Sequence, residues 1–545
     1  EIYLTRQISQ DSIADYRRSH TTEYLERDTE TIQFTGKNKI GFDNVDLGKY
    51  LEFNSLNIDW SVSKNESKLL SPDKSIFSSR WNAGFSEIFD FGGGIVFDIN
   101  EPSSFTEDKA DGEATLGHVQ RIWKSIIEES DQRSFDFKVP YKLRDISGGF
   151  KIGIFSDAVD RTFNQDTFSN LKGSNATGAS WLNHDWTEYW NEVYPVQGLE
   201  SENDIPAYRM KGALVDVDYT ALQEIDAWYY NLDIPIFSWL EFSGGARFES
   251  TKMEAIYIAE QDVKWTAANG QLWSFITDPP PNNPIDQDDV LPALGFQLSP
   301  LDKIKIRGSY SETIARPTFR EYSPIQQFEY FGGDLFIGDS SLTLSSLKNY
   351  DLRLDWAPYP GSLLSFSWFM KEIDKPIEHT QRYGNNVGVF NTAVNYPKGE
   401  MNGVEAEIRQ SLGKYYRGLE GLSIGLNYTL INSEVTYSDF DYERLKESIA
   451  AINVSKPIKN TRELLHAPEF IYNANIQYDI EQLGLEAALF YSVKGESLLT
   501  GPNTYGNFVP GIYEKERGSL NFTLKHKMGR ATWSVGIKNI LNEAH

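Results

Sequence analysis

The sequence predicts an all-β protein, a large antiparallel transmembrane β-barrel with short turns at one end and long loops at the other. Three observations lead there. Apolar and polar residues alternate with a period of two along most of the chain, the connections segregate by length, and the mean hydropathy is −0.46, with no stretch near the roughly 18 consecutive apolar residues of a transmembrane helix. A barrel strand needs only about 9–11 residues, and it averages to near-neutral hydropathy because lipid-facing apolar side chains alternate with lumen-facing polar ones.

The strands read plainly. Leu56, Ile58, Trp60 and Val62 alternate with Asn57, Asp59 and Ser61, and Leu352, Leu354 and Trp356 with Arg353 and Asp355. Leu364, Phe366 and Trp368 flank Ser365 and Ser367, Leu520, Phe522 and Leu524 flank Asn521 and Thr523, and Trp533, Val535 and Ile537 flank Ser534 and Gly536. Each is a strand with one greasy face. The only helical candidate is a short one from Asp441 to Ala451.

The connections carry more information than the strands. Short turns are predicted at 234–238, 299–303, 357–361, 413–421, 479–484 and 526–530, and long polar stretches at 248–290, 312–346, 373–400, 433–464 and 495–516. A sandwich or propeller has no reason to sort its loops this way, whereas an outer-membrane barrel turns tightly on its periplasmic side and loops widely outside. One turn plus one loop recurs every ~60 residues, giving on the order of 18–20 strands, too many for side chains to fill the lumen. Trp, Tyr and Phe number 13, 29 and 32. Several sit beside the short turns, as Phe237, Trp239, Trp356, Tyr359 and Tyr478 do, where interfacial girdles belong.

Composition closes off other classes. The 545 residues include no cysteine, which excludes a disulfide scaffold, a thiolate zinc site and a cysteine nucleophile, and only 7 histidines. A formal net charge of −26 without basic runs argues against nucleic acid as a partner. The first residues, Glu1-Ile2-Tyr3-Leu4, carry no signal-peptide pattern, so the chain is expected to start after processing or inside a longer precursor.

The segment from Ile304 to Pro324, with Ser309-Tyr310-Ser311 leading into Ala315-Arg316-Pro317, then Phe319 and Glu321, resembles the barrel of TonB-dependent outer-membrane receptors. Three further segments follow in that family's order: Leu347 to Phe369, Asn402-Gly403-Val404-Glu405-Ala406-Glu407, and Gly536-Ile537-Lys538-Asn539-Ile540-Leu541-Asn542. The resemblance implies a barrel of 22 strands, here spanning 1–545 as one domain. The family's N-terminal plug, its TonB box and its closing strand with a terminal aromatic residue are not recognisable and are expected to lie outside this sequence. It further implies capture of a scarce nutrient (siderophore, vitamin or oligosaccharide) and import into the periplasm driven by the TonB–ExbB–ExbD complex. A passive porin-like channel or a structural barrel in a larger envelope complex is the alternative.

Chemical motifs are few, and no catalytic residue, metal site or cofactor is predicted. Gly421-Leu422-Ser423-Ile424-Gly425 matches a nucleophile elbow, yet Ser423 falls inside an alternating strand, where no strand-to-helix turn can form. Gly92-Gly93-Gly94 lacks a following helix and reads as a bend. Ligand-binding candidates lie in loops. Trp181, Trp186, Tyr189 and Trp190 offer flat aromatic faces beside Asn, Asp and Glu, suited to sugar rings or aromatic chelators, or else they form a local core for their own loop. Arg316, Phe319, Arg320 and Tyr322 are expected at the outer mouth, where arginine suits a carboxylate or an iron chelate, with loop packing as the competing role. The acidic stretch from Asp278 to Asp289 suits divalent cations beside lipopolysaccharide. Expected partners are outer-membrane lipid and lipopolysaccharide, a small-molecule or oligosaccharide ligand, and a surface lipoprotein or other envelope subunit.

Overall fold

A computed structural model describes residues 2–6, 16–46, 51–81, 85–89, 95–99, 105–107, 119–143, 146–172, 208–212, 216–259, 263–328, 335–384, 388–451, 458–502 and 510–542. The long strands follow one another in an antiparallel meander: β1 (Glu26–Asp46), β2 (Leu51–Trp81), β3 (Val119–Leu143), β4 (Ile146–Lys172), β5 (Asp218–Phe237), β6 (Leu240–Ile258), β7 (Ile285–Leu301) and β8 (Ile304–Ala315). It continues through β9 (Ser345–Trp356), β10 (Ser362–Asp374), β11 (Lys398–Ser411), β12 (Leu422–Thr436), β13 (Phe470–Ile480), β14 (Leu485–Lys494), β15 (Arg517–Met528) and β16 (Ala531–Ile537). With short flanking segments they make one 21-stranded sheet, the barrel wall.

The wall is inside out relative to a soluble sheet. On β9, Leu352 and Leu354 are 47% and 44% exposed while Asn349 and Asp355, one face over, are 8% and 7%. The same inversion runs through Trp228, Leu294, Phe366, Ile476 and Val535, all exposed. Polar residues tile the inner face instead. Arg353 Nε donates to Asp355 Oδ1 at 2.8 Å and its Nη2 to Glu407 Oε2 at 3.1 Å, Arg409 pairs with Glu407, and Arg307 with Asp355. Such an arrangement is favourable only where hydrocarbon bathes the outside and polar groups satisfy one another within.

Turns and aromatics sit close to their predicted places. Gly361 and Gly484 take φ of +79° and +59°, which only glycine adopts freely, at two of the tight turns. Phe237 and Trp239 stack at 4.9 Å across the turn joining β5 to β6, on the exposed face. Tyr359 differs: its hydroxyl bonds Gln410 and Tyr415, and Lys414 lies 4.4 Å from its ring, so it anchors a turn. Ser423 lies within β12, paired with Ser411 and Gln477. Gly92-Gly93-Gly94 lies outside the described residues.

Strand length departs from the sequence reading. Residues predicted as the start of a loop at 248 continue β6 to Ile258, because Thr251, Met253 and Ala255 keep the alternation and bury an inner face. β2 has 31 residues and β4 has 27, so at roughly 3.3 Å per residue β2 reaches about 100 Å, far beyond a bilayer. The greasy outer belt stops well short of that. Ile154, Trp228, Phe248 and Val290 lie side by side as its last row, and Ser156, Asp226, Ser250 and Asp288 form the row above.

A lysine replacing Leu294, in the middle of the belt, is expected to destabilise the barrel in lipid by about 2–4 kcal/mol, whereas Ser309→Lys on the lumen face of the neighbouring strand costs far less. Urea unfolding of the two variants in liposomes checks this; equal losses would mean that the two faces are not distinguished by lipid.

Candidate ligand site at the loop end

Above the belt, the loops fold on one another and build the hydrophobic core that the wall itself lacks. After β8, Thr318 caps a four-residue helix, α1 (Phe319–Tyr322): its hydroxyl accepts from Glu321 N at 3.2 Å while Glu321 Oε2 accepts from Thr318 N at 2.8 Å. This capping box turns Phe319 and Tyr322 inward, where they are buried with Tyr219, Met253, Ile285 and Phe336. Phe163 and Tyr219 stack at 5.1 Å beneath them. Tyr322 donates its hydroxyl to Asn283 O. Arg316 reaches across to β6, where it pairs with buried Glu249 and donates from Nη2 to Thr251 Oγ1 at 2.8 Å. Arg320 lies 4.6 Å from the ring of Phe336.

The predicted mouth residues are thus brought together at the loop end, with Phe319 and Tyr322 facing the packed interior. Trp181, Trp186, Tyr189 and Trp190 lie outside the described residues.

Two carboxylates in this cap are shifted in opposite directions. Burial alone would raise Glu321, but hydrogen bonds from His379, at 3.0 Å, and Thr318 hold its carboxyl below the ordinary value. Asp216 goes the other way. Burial pushes it up to about 6, although Thr167 N at 2.6 Å, Thr167 Oγ1 at 2.8 Å and Gln165 Nε2 at 3.0 Å all donate to it.

A second unit forms over β10 to β14. The helix foreseen near 441–451 is α2 (Asp439–Ala451), and Ser438 accepts from Asp441 N at 3.1 Å at its start. Val394, Tyr396, Val435, Tyr437, Leu445 and Leu464 make its core. Two ion pairs are sealed inside: Arg382 with Asp441 at 3.3 Å, and Arg462 with Glu378 at 2.8 Å. Arg462 also lies 5.4 Å from the Tyr396 ring and 5.9 Å from that of Tyr437. Each charge therefore keeps a partner, without which burial would be costly. A small sheet, Gln326–Phe328, Leu335–Ile337, Gly388–Asn395 and Ile377–Gly384, joins this unit to the loop after β8.

Beside this core opens a cavity of about 690 Å³, lined by Glu434, Tyr437, Lys459, Arg462, Glu463 and Tyr513 among others. It has the size and the mixed apolar and polar lining of a small-molecule site. Burial pushes the Tyr437 phenol up to about 12, partly offset by Arg462, and burial with Glu463 nearby raises Tyr513. Both phenols stay neutral at physiological pH, so they can stack and donate hydrogen bonds but are not phenolate ligands. Among the described residues no cluster of His, Asp or Glu is built to hold a metal ion. The sequence marked 433–464 and 495–516 as long loops without singling out these side chains. The alternation does break at Tyr437, and Arg and Lys recur within the segment.

A model of the family "TonB dependent receptor-like, beta-barrel" matches residues 9–540. No curated protein matches by sequence. Among solved structures, a mutant of the Pseudomonas aeruginosa ferric enterobactin receptor is 10% identical, with 99% of this chain and 75% of that one covered at a TM-score of 0.41. The ferric yersiniabactin uptake receptor of Yersinia pestis is 11% identical, with 97% and 73% covered at 0.45. P. aeruginosa FpvA bound to pyoverdines is 10% identical, with 97% and 64% covered at 0.47.

Truncating Arg316 to alanine leaves Glu249 with Arg247 as its remaining cationic partner, and is expected to cost about 1.5–3 kcal/mol in the cap, read as faster amide exchange in α1 and β6. Asp216 supplies a pH test. Because its folded value lies above its unfolded one, its contribution is complete below about pH 4 and is lost as pH rises through about 6. The proteolysis rate near residue 216 should increase over that window, and Asp216→Asn should flatten the change.

Proposed function

The chain belongs to the TonB-dependent receptor-like β-barrel family, and from that premise we propose that it captures a siderophore-class iron chelate in the cavity beside α2. It is an outer-membrane receptor and importer, and energy coupling through TonB is implied by its family. The observation that carries the ligand reading is the cavity itself. Its aromatic walls, Tyr437 and Tyr513, lie beside Lys459, while Arg462 is held by Glu378, and Glu434 and Glu463 add carboxylates, so the lining suits a ring-bearing chelate of mixed polarity. Tryptophan and tyrosine from 181–190 would add a second aromatic surface, whereas Arg316, clamped on Glu249, serves the packing of the cap. A plug domain filling the lumen belongs to the same reading, as do the ExbB and ExbD partners, and the inner network of Arg307, Arg353, Asp355, Glu407 and Arg409 offers such a plug polar contacts.

In this mechanism no covalent bond changes. Ligand leaves water for the cavity, the cap holds it against stacking and charge, and energy from the inner membrane opens the path through the lumen.

Tyr513→Ala and Lys459→Ala are each expected to weaken binding of a ferric siderophore roughly tenfold, the loss of about 1.4 kcal/mol. Titration of the purified receptor against a panel of iron chelates and neutral oligosaccharides measures it, and saturable binding of the sugars alone would move the ligand to that class. Uptake by cells treated with an uncoupler separates import from leakage: import should stop, and continued uptake would support a passive channel.

A further inference from the structure

The lumen face of the wall is divided by charge. Across β8 to β11 it is laced with ion pairs, Arg307 with Asp355 and Arg353 with Asp355 and Glu407, and the series ends at Arg409 on β11. Across the middle of β12 to β15 the same face carries no charge. Ser423, Gly425 and Asn427 stand in cross-strand rows with Gln477, Asn475 and Asn473, and the rows continue through Ala488, Phe490 and Ser492 to Thr523, Asn521 and Ser519.

Phe490 stands out in this sector. It is 40% exposed, and away from the turns every other large apolar side chain that exposed on the described parts of β3 to β15, such as Leu294, Phe366 and Ile476, faces outward. Lipid cannot account for its ring. The amide beside it leans away, because Gly425 makes room: a side chain there would come within 2.7 Å of Asn475 Oδ1, so that amide lies over β12 and not over Phe490. On the other flank, Asn521 Oδ1 accepts from Asn539 N at 3.0 Å. Next to Asn475 opens a hollow of about 560 Å³, lined by Asn427, Asn473 and Gln477 and bordered by Glu407 and Arg409. β12 connects it to the loop end. Ser433, which lines the cavity beside α2, and Asn427, which lines the hollow, lie on one face of that strand about 20 Å apart.

We propose, on the premise that the chain imports its ligand through the lumen, that the uncharged face of β12 to β15 is the track by which ligand descends from that cavity, with Phe490 as a stacking station on it. Ion pairs favour one geometry and so suit a lumen-filling plug that must be held in register. Amides and hydroxyls exchange hydrogen bonds with water and with a passing solute at little cost. A ring-bearing ligand of mixed polarity fits such a surface, its ring on Phe490 and its oxygens on Asn473, Asn475 and Gln477.

The 545 residues contain no cysteine, so single cysteines report the path whatever the ligand proves to be. A membrane-impermeant maleimide added to energised cells is expected to label Phe490→Cys and Asn473→Cys severalfold faster than Ser309→Cys and Ser367→Cys, which face the lumen on β8 and β10. Equal labelling of the two sectors overturns the track. Uptake of a radiolabelled ferric siderophore that the purified receptor binds reads the station. Phe490→Ala should lower the uptake rate about fivefold, the loss of one stacking contact, with its binding affinity unchanged, and Phe490→Tyr should restore it. Leu489→Ala, on the lipid face of the same strand, should import normally. Uptake by Phe490→Ala at the wild-type rate overturns the station. A wild-type chain that binds no ferric siderophore defeats the ligand reading and not the track, which the labelling decides.

Discussion

Backbone hydrogen bonding is the constraint from which the rest of this molecule follows. Within hydrocarbon every peptide N–H and C=O must find a partner, and a wall of strands satisfies them laterally without regard to which side chains face which way. That freedom lets the outer face be Leu, Ile, Phe and Trp while the inner face carries ion pairs such as Arg353 with Asp355 and Glu407. No single hydrophobic core is then available in the wall. The core appears instead at the loop end, where inner-face residues of the tall strands, Phe163, Tyr219 and Met253 among them, rise out of the membrane and receive Phe319 and Tyr322.

That division explains how the described parts of the long connections after β8 and over β10 to β14 are packed. A loop of 20 or more residues without a partner surface pays its conformational entropy with little return. The long strands β2 to β6 supply the missing surface by extending beyond the belt, and the loop after β8 folds against it through a capping box, buried aromatics and the Arg316 clamp on Glu249. Over the shorter strands β10 to β14 the loops carry their own device, a helix and two buried ion pairs. The small sheet spanning 326–395 couples the two units, so the described walls of the cavity we propose as the ligand site rest on a packed framework. Preorganisation of that kind lowers the entropic cost of binding.

Much of the wall was legible because its physics repeats every two residues. Leu352, Leu354 and Trp356 announce their strand, and the contrast of short and long connections announces the barrel. The loops were far less legible, for a physical reason: their residues are chosen by contacts with distant strands rather than by a local period. Arg316 shows the difference well. Its type and its place at the mouth were readable, but its partner Glu249 sits 67 residues away, and nothing local says that its charge is already spent. The cavity residues Tyr437, Lys459, Arg462 and Tyr513 come from separate loops and meet only in three dimensions. Strand ends were misread in the same way, since β6 keeps its alternation beyond the belt while its outer face turns polar at Ser250.

The outer face above the belt also fixes where the membrane ends. Glu30, Glu66, Glu129 and Asp160 lie directly opposite one another on four successive strands. Like charges so placed repel even in water, and Lys64, 3.3 Å from Glu129, with Lys68 beside Glu66 relieves only part of it. In hydrocarbon such a row is untenable, since burying even one of these charges would cost more than the strand pairing returns. It lies two rows above the line of Ser156 and Asp226, so the bilayer surface falls beneath it. The strand length beyond that line is committed to the aqueous side, which is the side on which the cap and its cavity stand.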